Sequence, residues 1–283
     1  MGIPIIATQR RGAVRDRAAE SAAADAAEVP VLVLGCSLGT SHAMWSQVID
    51  LIESEFAEGV GYEILTWDLP GHGDSPASTE PFTISDLADA VIAAVDAEFG
   101  PEAPFVYAGD SVGGQVAYEL AVRGLPRLRA AVPVCSAPVI GTPQGWADRA
   151  EVIRTQGVGA MVEGSRQRWF GPGFVDEHPE LAQSLLDALP GVDADSYIHL
   201  CGALAAFDVR EALPHIHTPL IIVLGEDDQA VPVDDAAEPA AIVRTGVAVV
   251  LPEVGHLAPV EAPDDVAGIL LSVLDDPTSA IIG

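Results

Sequence analysis

The feature that most constrains this chain is the alternation of short, unbroken apolar runs with longer helical patterns. Six runs, Val31–Leu34, Tyr62–Trp67, Phe105–Ala108, Ala130–Cys135, Leu220–Leu224 and Val247–Leu251, are apolar on nearly consecutive residues. Strands of that kind are buried on both faces, which means a mostly parallel sheet. Between them, Ala43–Phe56, Ile84–Phe99, Val112–Arg123 and Pro263–Leu274 carry helical spacing. The alternation predicts an α/β chain with a doubly wound sheet. Residues 3–7 read as a further edge strand. Residues 17–28, RAAESAAADAAE, are low in complexity and read as a linker or solvated turn.

The alternation breaks once. From 138 to 213 no convincing strand occurs, and helical segments are interrupted by Gly-Pro pairs such as Gly171-Pro172. A length of 283 residues is near the upper size served by one hydrophobic core. The expected organisation is therefore one core, residues 1–137 and 214–283, with a helical cap or lid, residues 138–213, over the C-terminal edge of the sheet.

Charge narrows the partners. Thirteen basic residues, all arginine, face 42 acidic ones, for a formal net charge of −29. Phosphate binding needs a basic surface, so the balance argues against nucleic acid and equally against an anionic membrane. An anionic small molecule would be repelled by the global field, so a local arginine would have to attract it. Cys36, Cys135 and Cys201 are odd in number and far apart, with no CxxC pair. They point to a reducing compartment, no structural disulfide and no zinc or other metal site. With no signal-like N-terminus and no long apolar window, a soluble cytoplasmic protein is expected.

The chemistry is legible at one turn. Strand Phe105–Ala108 runs into Gly109-Asp110-Ser111-Val112-Gly113-Gly114, and a helix starts at once. A G-x-S-x-G sequence between strand and helix holds its serine in a strained conformation that projects Oγ above the sheet. Cβ atoms at 109 and 113 would collide with neighbouring backbone. The helix also aims its N-terminal N–H groups at the reacting centre. A glycine-rich turn that merely contains serine is the bland alternative, and the strand–turn–helix context weighs against it.

Where this turn occurs, its partners follow in the order Ser, Asp or Glu, His. His256 sits in a glycine-containing loop after the last strand and is the candidate base. The acid should follow Leu220–Leu224, where Glu226, Asp227 and Asp228 are consecutive. Spacing from Gly225 and Pro232 favours Asp228, with Asp227 as the fallback. The second oxyanion donor should come from the loop after Val31–Leu34, as the N–H of Leu38 paired with that of Val112. His72, in Gly71-His72-Gly73, reads as structural, His42 and His178 as surface residues, and Cys36 as a small packed side chain.

Several motifs together resemble the 3-oxoadipate enol-lactonase branch of the α/β-hydrolases. They are Ser37-Leu38-Gly39-Thr40 with Met44-Trp45, Trp67 through Gly73, the elbow 108–114, Arg168-Trp169-Phe170, Tyr197 through Cys201 and Asp208-Val209-Arg210. The first 29 residues depart from the family's usual N-terminal hairpin. The resemblance implies an α/β-hydrolase fold with the cap inserted after the sixth strand. It also implies cofactor-free hydrolysis of an enol-lactone bearing a carboxylate. Such a substrate needs a charged donor, and the cap holds Arg149, Arg154, Arg166 and Arg168. Arg168, flanked by Trp169, is the leading candidate, though a salt bridge within this acidic chain would explain it equally. Trp146 and Trp169 are candidate pocket walls. Competing readings are another carboxylesterase, perhydrolase or C–C bond hydrolase on the same scaffold, or an inactive binding relative, against which the intact Ser, Asp and His positions argue.

Overall fold

Strands covered by helices on both sides are apolar at nearly every residue, and the central strands here are. The computed structural model describes residues 3–12, 31–55 and 62–277. Seven strands form one sheet: β1 (Thr8–Gly12), β2 (Val31–Gly35), β3 (Glu63–Trp67), β4 (Phe105–Asp110), β5 (Leu128–Val134), β6 (Leu220–Gly225) and β7 (Gly246–Leu251). Their order is β1-β3-β2-β4-β5-β6-β7. β1 runs antiparallel to β3, and every other pairing is parallel. All residues of β2, β4 and β6 are buried, whereas β7, at the sheet edge, is only partly covered.

Helices α1 (Ser46–Glu55), α2 (Ile84–Phe99) and α3 (Val112–Arg123) follow β2, β3 and β4. α2 starts where it does because Thr83 and Asp86 cap each other's backbone N–H. Between β5 and β6 lie α4 (Pro143–Gln156), α5 (Val162–Trp169), α6 (Pro179–Ala188) and α7 (Ala194–Ala206), with short helical turns and no strand; α8 (Pro263–Asp275) closes the core. α1 packs against α8 and α2 against α3, while α4 packs against α7 within the helical insertion. The insertion leaves and rejoins the sheet at one place, where Val209 N–H donates to Pro138 O at 3.2 Å. Asp193, which caps α7, also donates its N–H to Gly71 O at 3.0 Å, tying the insertion to the turn after β3.

The α/β expectation is met, with two corrections. The edge strand is at Thr8–Gly12, not residues 3–7. An edge strand is paired on one side only and can be polar. Arg10 there forms an ion pair with Glu63 across the ladder, and the apolar run before it is no strand. The insertion follows the fifth strand among the described residues, not the sixth. A terminal hairpin would supply two strands before β2, and these residues supply one. The stretch 17–28 lies outside the described residues. No helix among the described residues is long and apolar enough to cross a membrane.

The strand order places the chemistry. From β2 the chain passes to β3 on one side and then to β4 on the other. Loops after β2 and β4 therefore open side by side at the C-terminal edge, where such sheets bind ligands.

Candidate active site

Ser111 follows β4 with φ 55° and ψ −112°, a left-handed conformation rare outside glycine. The strain is held by backbone: Ser111 N–H donates to Val134 O at 2.8 Å, and its carbonyl accepts from Gln115 N and Ser136 Oγ. The flanking glycines are required as expected. A Cβ at Gly109 would strike the Gly113 backbone, and one at Gly113 would lie 2.8 Å from the Gly35 carbonyl.

Three loops at the C-terminal edge converge on this serine. His256 Nε2 lies 2.9 Å from Ser111 Oγ, and His256 Nδ1 lies 2.8 Å from Asp228 Oδ2. An ionised carboxylate can only accept, so Nδ1 carries the proton and Nε2 is left free to accept from the serine. The other oxygen of Asp228 accepts from the N–H groups of Ala230 and Val231 at 2.8 and 2.9 Å. Ser111, Asp228 and His256 are 8%, 5% and 4% exposed, so their interactions act in a low-dielectric setting. Asp227 is only half-buried and uses its N–H on Val254 O, so it is Asp228 that meets the histidine.

Electrostatics tune the imidazole. Burial by itself would lower its pKa, but the charge and hydrogen bond of Asp228, helped by Asp110 and Glu261, reverse this and raise it above 6.5. Asp110, next to the serine, is fully buried, with the Ser37 side chain the only hydrogen-bonding side chain beside its carboxyl among the described residues. Burial pushes its pKa well up.

The pocket above Ser111 is a cavity of about 240 Å³ between the sheet edge and the insertion. Leu38 lines it from the loop after β2, where Ser37–Thr40 forms a turn closed by Thr40 N–H on Ser37 O. Val112 is the first residue of α3, so its N–H stands at the helix N-terminus beside Ser111. Trp146, Arg149, Arg168, Trp169 and Tyr197 contribute the wall from the insertion. The four arginines of the insertion are now separated. Arg154 pairs with Glu151 and Arg166 donates to Gln183, both at the surface. Arg149 and Arg168 face the cavity, and among the described residues neither has a carboxylate within ion-pair distance. Burial and the nearby Arg149 lower the pKa of Arg168.

A model described as the alpha/beta hydrolase family matches residues 31–269. The chain belongs to the α/β-hydrolase family. A 3-oxoadipate enol-lactonase of Acinetobacter baylyi is 32% identical over 84% of this hydrolase and 85% of its own length. A pimeloyl-acyl-carrier-protein methyl ester esterase of Vibrio campbellii is 26% identical over 74% and 80%. Among solved structures, the enol-lactonase of Burkholderia xenovorans LB400 superposes with a TM-score of 0.83 at 26% identity, covering 95% of this chain and 96% of the other.

Sequence reasoning left several site residues of the hydrolase unassigned. Arg149 stands three residues after Trp146 on α4, on one helix face, and its guanidinium lies 5.0 Å from the Trp146 ring centroid. That spacing is a signal the sequence carried. Tyr197, Asp110 and Glu261 carried none, because what they face is decided by distant elements. His72 is buried with Nδ1 on Pro70 O, as a structural residue should be. His42, read as a surface residue, instead pairs with Asp68 at 2.9 Å. His42, Asp68 and Asp74 bring potential metal ligands within 4.8 Å, but Asp68 is already occupied by the N–H groups of His42 and Asp74.

Proposed function

We propose that this hydrolase is a serine carboxylic-ester hydrolase that opens a small enol-lactone carrying a side-chain carboxylate, through an acyl-enzyme. The observation that carries the reading is the pair Arg149 and Arg168. In a chain of net charge −29, two arginines without an acidic partner among the described residues face the cavity that holds Ser111. Both guanidiniums are half-buried at the cavity wall, Arg149 lying over the Trp146 ring, so their N–H donors can meet a carboxylate that enters the cavity. The likeness to enol-lactonases supports the same substrate class.

In the proposed reaction His256 Nε2 takes the Ser111 proton and Oγ attacks the lactone carbonyl, forming a tetrahedral oxyanion. The N–H groups of Leu38 and Val112 hold that oxyanion, at roughly 3–4 kcal/mol for each donor lost. Asp228 keeps the tautomer and stabilises the imidazolium without taking its proton. The C–O bond breaks toward an enolate, a better leaving group than an alkoxide, and the His256 imidazolium gives up its proton to it, yielding the keto form and a neutral imidazole. Water, deprotonated by His256, then cleaves the acyl-enzyme and restores Ser111. No cofactor or metal enters these steps, and the helical insertion serves as the cap that supplies the anion site.

Esterase action on a neutral acyl ester is the second reading, favoured by the methyl ester esterase among the relatives. Hydrolysis of 3-oxoadipate enol-lactone and of p-nitrophenyl acetate separates the two. The lactone should be preferred, and Arg149→Ala or Arg168→Ala should cost it about 10- to 100-fold in kcat/KM while sparing the acetate. Equal losses on both substrates, or no preference for the lactone, would favour the esterase reading.

A further inference from the structure

The loop that carries His256 is welded to the chain leaving α5. Trp169 O accepts two N–H groups from that loop, His256 N at 2.9 Å and Leu257 N at 3.2 Å. One carboxylate completes the junction. Glu261, on the short helix Ala258–Glu261, accepts from Gly171 N at 2.6 Å and Gly255 N at 3.2 Å through Oε2, and from Leu257 N at 3.2 Å through Oε1. Glu261 thus reaches 90 residues back along the chain to hold Gly171 beside the loop at Gly255–Leu257. The glycines make the approach possible. A Cβ at Gly171 would lie 2.6 Å from Glu253 O and 2.9 Å from Gly255 N, and one at Gly255 would strike Gly171 N.

This junction does two things at once. The carbonyl of Trp169 fixes the backbone of the histidine, while its side chain lines the substrate cavity and packs at Gly39 in the loop after β2. A change in how the insertion sits would be passed to His256 through Trp169 and through the Glu261 contacts.

We propose that Glu261 is a positioning residue of the hydrolytic site, clamping the exit of α5 at Gly171 to the loop at Gly255–Leu257 and thereby setting where His256 stands relative to Ser111. The proposal rests on His256 being the base. A half-buried carboxylate that accepts three backbone N–H groups cannot be replaced by a neutral amide without turning an NH2 group against a donor. The groups facing His256 are Ser111 and Asp110 from the end of β4, Asp228 from the loop after β6, and Glu261. Of these Glu261 alone also holds the insertion. Its negative charge adds to that of Asp228 in favouring the imidazolium.

The test is the titration of His256 itself, followed by 15N NMR in wild type, Glu261→Gln and Glu261→Ala, alongside hydrolysis of p-nitrophenyl acetate. In Glu261→Gln the His256 midpoint should move to lower pH by ~0.5 unit or more, and the acidic limb of kcat/KM should follow it. In Glu261→Ala kcat/KM should fall about 10-fold or more even at its plateau, with kcat bearing most of the loss, as expected for a displaced base. In the wild type, the amides of Gly171, Gly255 and Leu257 should exchange slowly and in step. Variants that fold and titrate His256 at the wild-type midpoint would overturn the proposal. So would fast, unrelated exchange of the three amides, a readout that needs no variant to fold. Failure of the hydrolase reading looks different: ester turnover would not depend on Ser111, while the His256 midpoint would still move.

Discussion

Asp228 Oδ2 stands 2.8 Å from His256 Nδ1, while Asp227, one residue earlier, points elsewhere and is half-buried. The consequence is an asymmetric pair of variants. Asp228→Asn presents an amide that can donate to the ring and so favours the wrong tautomer, with an expected loss in kcat on the order of 10³–10⁴. Asp227→Asn should retain activity within a few-fold, since its backbone N–H on Val254 O is unaffected. Steady-state hydrolysis of p-nitrophenyl acetate checks both. Comparable losses in the two would reopen the choice of acid.

The imidazole must be neutral to accept the serine proton, so activity falls as pH drops through the His256 midpoint. Because Asp228, Asp110 and Glu261 together outweigh burial, that midpoint lies above the ordinary 6.5. The acidic limb of kcat/KM should therefore lie on the alkaline side of 6.5. Removing the Asp228 charge should carry it to the acid side, because burial then dominates. A pH–rate profile between about pH 5 and 9 reads both limbs. A wild-type midpoint below 6.5 would contradict the electrostatic account.

His72 makes a prediction about stability, not activity. It is buried under α7, its ring stacked on Tyr197 at 6.1 Å, and burial lowers its pKa from 6.5 to about 4. Below 6.5 the unfolded chain takes up a proton that the folded one refuses until about 4. Stability should thus fall as pH is lowered across that window, by about 3 kcal/mol from this residue, and level off below it. The difference between urea unfolding curves of wild type and His72→Gln isolates the contribution from that of the many carboxylates. Parallel pH dependences in the two proteins would remove it.

What could be read in advance was what is local. Ser111 needs a strand, a tight turn and a helix start, and all three are written within ten residues around it. The inner strands β2 to β6 were legible because burial on both faces forces largely apolar runs, and β7, at the other edge, was legible from its apolar run although it is only partly covered. The edge strand was not, because β1 is paired on one side and its polar Arg10 is an asset there.

The sequence by itself determined the parallel sheet, the serine elbow and the chain order of its partners. These follow from side-chain polarity and from backbone conformations only glycine tolerates. Spacing favoured Asp228 over Asp227, and the tertiary structure brings Asp228 to His256 Nδ1, because adjacent residues differ in where the turn points them. Tertiary structure alone separated the two cavity arginines from the two surface ones, since a guanidinium is free or paired according to neighbours on other helices. It also placed Glu261 between Gly171 and Gly255, a contact that forms only when a helical insertion folds back onto the loop after the last strand.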